Sequence, residues 1–100
     1  MIKILIRNEE NCFKSLEVKG HANSAPHGED LVCAAVSAVI TGGFNAIKDI
    51  ENFHYELKEG YAYLEAKETV SSHDLTVIET IITSLKTIAE SNSRYVKIQN

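Results

Sequence analysis

Apolar and polar residues alternate along the first twenty positions of the chain. Isoleucine occupies positions 2, 4 and 6, and Leu16 and Val18 alternate with charged residues. Side chains of a strand point to opposite faces in turn, so this period of two predicts two strands with one buried face each. The polar residues 8–11 between them predict a hairpin whose second strand ends near Gly20.

The middle of the chain changes to a helical period. Asp30 is a suitable N-cap, which predicts a helix from there to about Ile50. Its predicted buried face consists of Val32, Val36, Val39, Gly43, Ile47 and Ile50. An adjacent stripe consists of Cys33, Ser37, Ile40 and Phe44. The pair Gly42-Gly43 costs about 1 kcal/mol per glycine relative to alanine, so it predicts close packing against another backbone or a local break.

The second half of the chain repeats the pattern of a hairpin followed by a helix. Residues 53–57 and 61–66 predict two strands, and Ser71 or Ser72 caps the next helix. The buried stripe of that helix is predicted to be Leu75, Ile78, Ile81, Ile82, Leu85 and Ile88. Residues 95–98 predict a final strand. The order ββαββαβ predicts an α+β fold, with two amphipathic helices packed on a mainly antiparallel sheet.

Composition narrows the class of protein. A chain of 100 residues predicts a single domain over residues 1–100. Ten basic and fourteen acidic side chains give a net charge of −4, which argues against a broad nucleic-acid surface. Two cysteines do not make a disulfide scaffold, and no segment is typical of a signal peptide or a membrane span. We therefore expect a cytoplasmic protein that binds neither nucleic acid nor membrane directly.

The chemistry is concentrated around Cys33 and His21. If Asp30 caps the helix, Cys33 is its third residue, where the helix dipole favours thiolate over thiol. His21 lies twelve positions earlier and could take the thiol proton or hold the thiolate as an ion pair. Because Glu29 and Asp30 add negative charge beside the thiol, a nearby imidazolium matters more here than the dipole alone. A cysteine and a histidine that can exchange a proton are the smallest set of catalytic residues that a cysteine hydrolase needs.

Alternatives remain for each of these residues. Cys33 could be a buried structural cysteine, and His27 competes with His21 for the role of base. Asp30 could cap the helix, orient the imidazole of His21, or do both. Ser37, one turn after Cys33, could donate a hydrogen bond into the site or satisfy its hydroxyl on the carbonyl four residues back.

Further possibilities concern the surroundings of the thiol. Backbone N–H groups of residues 32–34 would be the oxyanion donors in acyl transfer. Zinc bound by His21, His27, Asp30 and Cys33 is an alternative, but the spacing matches no standard structural site. Cys12 has no histidine close in sequence and is predicted to lie outside the site. Four aromatic residues could line a groove or pack across strands: Phe53, Tyr55, Tyr61 and Tyr63.

The residues around the thiol also form a recognisable motif. Its two parts are Gly20-His21-Ala22 and Gly28-Glu29-Asp30-Leu31-Val32-Cys33-Ala34-Ala35-Val36-Ser37-Ala38. This motif resembles the signature of the ribosomal-processing cysteine proteases called Prp. The length, the element order and the downstream Asn45-Ala46-Ile47 are similar as well, so the resemblance covers the whole chain.

The resemblance implies a specific proteolytic function. His21 and Cys33 match the catalytic histidine and cysteine of the family, and Asp30 and Ser37 match its aspartate and serine. Family members remove the N-terminal extension of large-subunit ribosomal protein 27 by cutting after a pair of phenylalanines. The reaction requires no metal or organic cofactor.

The resemblance also implies a homodimer and a loop that changes conformation when substrate binds. In this chain the loop is residues 21–28, with Gly20 and Gly28 as its hinges. Two other functions stay open from the residues themselves. One is a non-catalytic, ribosome-associated binding module with a buried Cys33, and the other is a thiol hydrolase or transferase acting on a small acyl substrate.

Overall fold

The computed structural model describes residues 1–20 and 27–100, with the side chains of all of these except residues 27–30. Its elements follow the predicted order ββαββαβ, with one short 3-10 turn inserted before the third strand. They are β1 (Ile2–Glu9), β2 (Cys12–Lys19), α1 (His27–Ala46), the 3-10 turn (Ile50–Asn52), β3 (Phe53–Lys58), β4 (Tyr61–Ala66), α2 (Ser72–Ser91) and β5 (Val96–Gln99).

The strands form one sheet in the order β3-β4-β2-β1-β5. Only β1 and β5 pair in parallel, and the other three pairs are antiparallel. The α+β prediction with a mainly antiparallel sheet is therefore confirmed. Paired residues such as Leu16 and Leu64 are buried on the same face, and the helices pack there to close a single hydrophobic core.

The first hairpin turns through two residues. Glu9 pairs with Cys12, and Glu10 and Asn11 between them have φ of 50° and 65°. Two left-handed residues in succession are the pattern of a type I′ turn, whose twist matches that of the flanking strands. This turn places Cys12 at the start of β2, on the surface.

Helix α1 differs from its prediction at both ends. It begins at His27 and ends at Ala46, so Asp30 is its fourth residue and the predicted N-cap is wrong. The helix also stops four residues before Ile50, which instead begins the 3-10 turn. Acidic side chains are favourable throughout the first turn of a helix, not only at the cap, and for this reason Asp30 does not mark the boundary.

The buried face of α1 is rotated from the predicted one. Its buried residues are Val32, Val36, Ile40 and Phe44, and Ile47 is buried just beyond the helix. Val39 and Gly43 are half-buried, because this side of α1 meets α2 rather than the sheet. A Cβ on Gly43 would overlap the side chain of Ile81, whereas Gly42 has open space beside it. The predicted packing against another backbone is therefore wrong: only Gly43 is closely packed, and its neighbour is the side chain of Ile81.

Helix α2 begins as predicted at a serine cap. Ser71 Oγ accepts a hydrogen bond of 3.2 Å from Asp74 N. Ile78, Ile81 and Leu85 are buried as expected, while Leu75 is 37% exposed. The helix therefore buries a narrower stripe than its sequence suggests.

Asp74 links the two helices. Its side chain is 1% exposed, and Oδ1 accepts a hydrogen bond of 2.9 Å from Lys48 N. Its Oδ2 accepts one of 3.1 Å from Asp49 N. The carboxylate thus satisfies backbone donors of the segment that follows α1, a role its position in the first turn of α2 does not reveal.

We predict that Asp74→Ala lowers the free energy of unfolding by about 3 kcal/mol, because two hydrogen bonds to a charged acceptor are lost and their donors stay behind. Chemical denaturation measures the change. Asp49→Ala is the matched control, since Asp49 is exposed and makes no capping hydrogen bond through its side chain. It should cost less than about 0.5 kcal/mol. Equal losses in the two variants would contradict the assigned role.

The adjacent glycines give a second, paired prediction. Gly42→Ala should raise the free energy of unfolding by up to about 1 kcal/mol, because alanine is the better helix former and has room there. Gly43→Ala should lower it by about 1–3 kcal/mol, because the new methyl group displaces Ile81. Thermal or chemical denaturation of the two variants tests both signs, and stabilisation by both would show that α1 and α2 do not pack as described.

Candidate active site

Cys33 lies on α1, and its side chain is half-buried. Since α1 begins at His27, Cys33 is the seventh helical residue and not the third. The helix dipole acts mainly within the first turn, so the predicted activation of the thiol by the helix N-terminus is reduced.

A cavity of about 400 Å³ lies beside Cys33. Helix α1 forms one wall and the turn between β3 and β4 forms the other. Its lining includes Cys33, Val36, Ser37, Ile40 and Thr41 from α1, residues 57–62 from the hairpin, and Ile2, Val18 and Gly20 from the first two strands. The fold therefore brings together three of the predicted site residues: Gly20, Cys33 and Ser37.

Gly20 is held in place at the end of β2. Its φ is +105°, and its N–H donates a hydrogen bond of 3.1 Å to the carbonyl of Gly60. A Cβ at this position would overlap the carbonyl oxygen of Met1. Only glycine fits here, and the chain consequently leaves the sheet toward His21 from a fixed point beside the cavity.

The remaining parts of the predicted dyad and loop are not tested by the structure. His21 lies outside the described residues, so its approach to Cys33 stays a prediction. Gly28 is the second residue of α1 rather than the last residue of the loop, and its role as a hinge also stays a prediction. His27 begins α1, and the orienting role of Asp30 is likewise a prediction.

Ser37 is exposed and lines the same cavity as Cys33. Within the described part of the chain its hydroxyl makes no hydrogen bond to the carbonyl of Cys33, whereas Thr76 and Thr80 of α2 make this kind of bond. The Ser37 hydroxyl is therefore available to a molecule in the cavity.

The predicted oxyanion donors need correction. In α1 the N–H groups of residues 32–34 point toward carbonyls four residues earlier, inside the helix that begins at His27. The N–H groups without an acceptor in their own helix are those of its first four residues. Residues 32–34 are therefore not the source of an oxyanion hole in this arrangement.

Tyr61 lies on the hairpin wall of the cavity. Its sequence pattern is compatible both with lining a groove and with packing across strands. Its hydroxyl donates a hydrogen bond of 2.8 Å to Glu17 Oε2. This bond to a carboxylate raises the pKa of Tyr61 to about 12, so the phenol is a donor at neutral pH and not a base. The other three aromatics of the predicted group do not line this cavity: Phe53 is in the core, Tyr55 is exposed and Tyr63 is half-buried.

Two further predictions can be compared with the structure. Cys12 does not line the cavity of Cys33, which agrees with its place outside the site. Among the described side chains, those of residues 1–20 and 31–100, no three His, Cys, Asp or Glu are grouped so that they could hold a metal ion. The zinc alternative depends on His21, His27 and Asp30, whose side chains lie outside that set, so it is not tested. The described chain contains no helix suited to crossing a membrane.

Comparison with known proteins identifies the family. A family model described as Cysteine protease Prp matches residues 1–97. The chain belongs to the cysteine protease Prp family. Ribosomal processing cysteine protease Prp of Bacillus subtilis is 39% identical over 97 residues, covering 88% of this chain and 87% of the relative. The resemblance inferred from the motif is confirmed, and the protein is a cysteine protease.

Solved Prp structures have the same fold. The structure of Prp from S. aureus with a covalently linked product peptide superposes with a TM-score of 0.80 at 27% identity, covering 99% of this chain and 98% of that one. The S. aureus Prp complex with a substrate peptide gives a TM-score of 0.82 at 26% identity, with the same coverage of both chains. S. aureus Prp thus binds both a substrate peptide and a covalently linked product peptide.

The link between Tyr61 and Glu17 predicts a pH effect. The Tyr61 pKa is about 12 in the folded protein and close to 10 in the unfolded chain. The stability from this bond is therefore present below about pH 10 and is lost as the pH rises toward 12. In Glu17→Gln, spectrophotometric titration should show the Tyr61 pKa moving back toward about 10. Tyr61→Phe is the control that removes this transition, and an unchanged titration in Glu17→Gln would contradict the hydrogen bond.

Proposed function

We propose that this Prp protease removes the N-terminal extension of large-subunit ribosomal protein 27, cutting after a pair of phenylalanines. The observation that carries the proposal is the half-buried Cys33 thiol, which lines an open cavity between α1 and the β3–β4 hairpin. The cavity is wide enough to admit part of a peptide. The ribosomal processing role of the Bacillus subtilis relative supports the choice of a ribosomal substrate.

The proposed mechanism uses Cys33 and His21 as a dyad. His21 takes the thiol proton or pairs with the thiolate, and the sulfur attacks the scissile carbonyl carbon. The C–N bond then breaks as His21 returns its proton to the leaving amine, which leaves a thioester on Cys33. Water, activated by His21, adds to the thioester and releases the new carboxylate and the thiol. The tetrahedral oxyanion takes its hydrogen bonds from donors other than the N–H groups of residues 32–34, because α1 occupies those.

Neighbouring residues support this dyad in the proposal. Ser37 presents its hydroxyl to the cavity and donates a hydrogen bond to the bound peptide. Asp30 orients the imidazole of His21. The fixed start of the loop at Gly20, which is bonded to Gly60, sets the direction from which His21 reaches the thiol, and Gly20 and Gly28 are the proposed hinges of the loop.

The proposal also covers the cellular location, the oligomeric state and the cofactor requirement of the protease. We place the protease in the cytoplasm as a homodimer, acting without metal or organic cofactor. A peptide-bond hydrolysis by thiol and imidazole needs no further group. Membership of the cysteine protease Prp family argues against a non-catalytic binding module. The other rival, a hydrolase of small acyl substrates, is distinguished by the experiment that follows.

The test is mass spectrometry of ribosomal protein 27 carrying its N-terminal extension, incubated with the wild-type chain and with variants. Wild type should make one cut after the paired phenylalanines. Cys33→Ala should lower kcat/KM by about 10³-fold or more, because the nucleophile is gone, and His21→Ala should cost nearly as much. Cys12→Ala is the matched control and should cleave like wild type, since Cys12 lies outside the cavity.

Two results would contradict the proposal. Cleavage that persists in Cys33→Ala would exclude Cys33 as nucleophile. A ribosomal substrate that stays intact with wild-type protein would exclude the proposed substrate, and turnover of small thioesters by the same preparation would then favour the acyl hydrolase. Circular dichroism of Cys33→Ala confirms that the variant is folded.

A further inference from the structure

Strand β3 forms one edge of the sheet, with β4 as its only neighbouring strand among the described residues. Its six residues contain no proline, which is one of the usual protections of a sheet edge. An edge of this kind presents unpaired main-chain donors and acceptors and is a template for an added strand.

The hydrogen bonds between β3 and β4 show which residues of β3 direct their backbone N–H and C=O groups away from β4. Lys67 N donates a hydrogen bond of 2.9 Å to the carbonyl of Asn52, just before β3 begins. In an antiparallel pair, alternate residues exchange both hydrogen bonds with the partner strand. The main chains of His54 and Glu56 therefore face β4, and those of Tyr55 and Leu57 face away from it.

The side chains of these two residues form an apolar strip. Tyr55 is 56% exposed and Leu57 is 45% exposed. They pair with Leu64 and Ala62, whose side chains are buried, so the strip lies on the helix side of the sheet. Charged residues of β3 are on the opposite side, where Lys58 and Glu56 form an ion pair of 2.9 Å.

The strip is continuous with the cavity of Cys33, because Leu57 lines that cavity. An extended peptide beside β3 would lie about 5 Å from it, with its main chain bonded to Tyr55 and Leu57. Alternate side chains of that peptide would contact the strip. From the Leu57 end of the strand the same peptide can enter the cavity that holds the thiol.

We propose that the outer edge of β3 is a substrate-binding subsite, in which an extended peptide with apolar side chains at alternate positions adds to the sheet as a further strand. Tyr55 and Leu57 supply both the main-chain hydrogen bonds and the apolar contact. The inference rests on the proposed function, since it takes the peptide in this subsite to be the one that Cys33 cleaves.

A proline substitution tests the main-chain bond separately from the side chain. Tyr55→Pro removes an outward N–H without removing a bond to β4, and edge strands tolerate proline at such positions. Tyr55→Ala removes the ring but keeps the N–H. We expect Tyr55→Pro to raise the KM for cleavage of the ribosomal protein about tenfold more than Tyr55→Ala does, as the loss of one main-chain hydrogen bond implies. Equal KM values in two folded variants would overturn the subsite.

Amide hydrogen exchange gives a readout that needs neither catalysis nor the proline variant. The protein is Cys33→Ala, and the probe is a synthetic peptide spanning the paired phenylalanines of the N-terminal extension. Adding peptide should slow exchange at the Tyr55 and Leu57 amides. The His54 and Glu56 amides, already bonded to β4, are the internal control and should not change.

The outcomes separate this inference from the proposed function. Cleavage by wild type without protection of the Tyr55 and Leu57 amides would overturn the subsite and leave the function standing. Protection by the peptide without cleavage of the ribosomal protein would support the subsite and contradict the proposed substrate. Protection that is present without peptide and grows with protein concentration would show that the edge is covered by a second copy of the chain, which would also overturn the subsite.

Discussion

The buried carboxylate of Asp74 is the interaction on which the arrangement of the two helices depends. It accepts hydrogen bonds from Lys48 N and Asp49 N while its own N–H is bonded to the cap at Ser71. One side chain thus joins the segment after α1 to the first turn of α2. Because a buried carboxylate is stable only when its acceptors are satisfied, the segment after α1 and the start of α2 must come together at one place.

The hydrogen bonds of Asp74 also help to determine where Cys33 lies. The segment after the C-terminal end of α1 is fixed by its hydrogen bonds to Asp74, and the last turn of α1 is fixed by the approach of Gly43 to Ile81. With these two contacts set, the rotation of α1 about its axis places Val36 and Ile40 over the sheet. Cys33 and Ser37 then lie at the border of the core, beside the β3–β4 hairpin.

Much of the fold could be predicted from the local pattern of apolar and polar residues, and each wrong prediction about α1 has a local cause. Alternation in β1 and β2 identifies strands because one face is buried and the other is not. The start of α1 is ambiguous, since Asp30 suits a cap and a first-turn position equally well. Its buried face is ambiguous too, because the row through Val39 and the row through Ile40 are both apolar. Packing of α1 against α2 determines which of the two rows is buried against the sheet.

Only part of the site could be predicted from the sequence. Cys33, Ser37 and Gly20 could be named because their residue types and spacing carry the chemistry. The hairpin wall could not, because the turn at Gly60 reaches the cavity only through the sheet order, in which β4 is the neighbour of β2. The backbone donors to the Asp74 carboxylate, Lys48 N and Asp49 N, are likewise distant in sequence. Pairings of this kind are decided by the assembled core and leave no local signal.

The parallel pairing of β5 with β1 has a consequence for how the protease is made. It joins Ile2 to Val96, and Ile2 N donates a hydrogen bond of 2.8 Å to the carbonyl of Tyr95. Contacts between such distant positions form late in folding, and during synthesis they must wait for the last strand to emerge. Met1 and Ile2, at the start of β1, lie against Gly20. Until β5 has been synthesised, the edge of β1 that it covers is unpaired, and Ile2 beside the Cys33 cavity lacks that support.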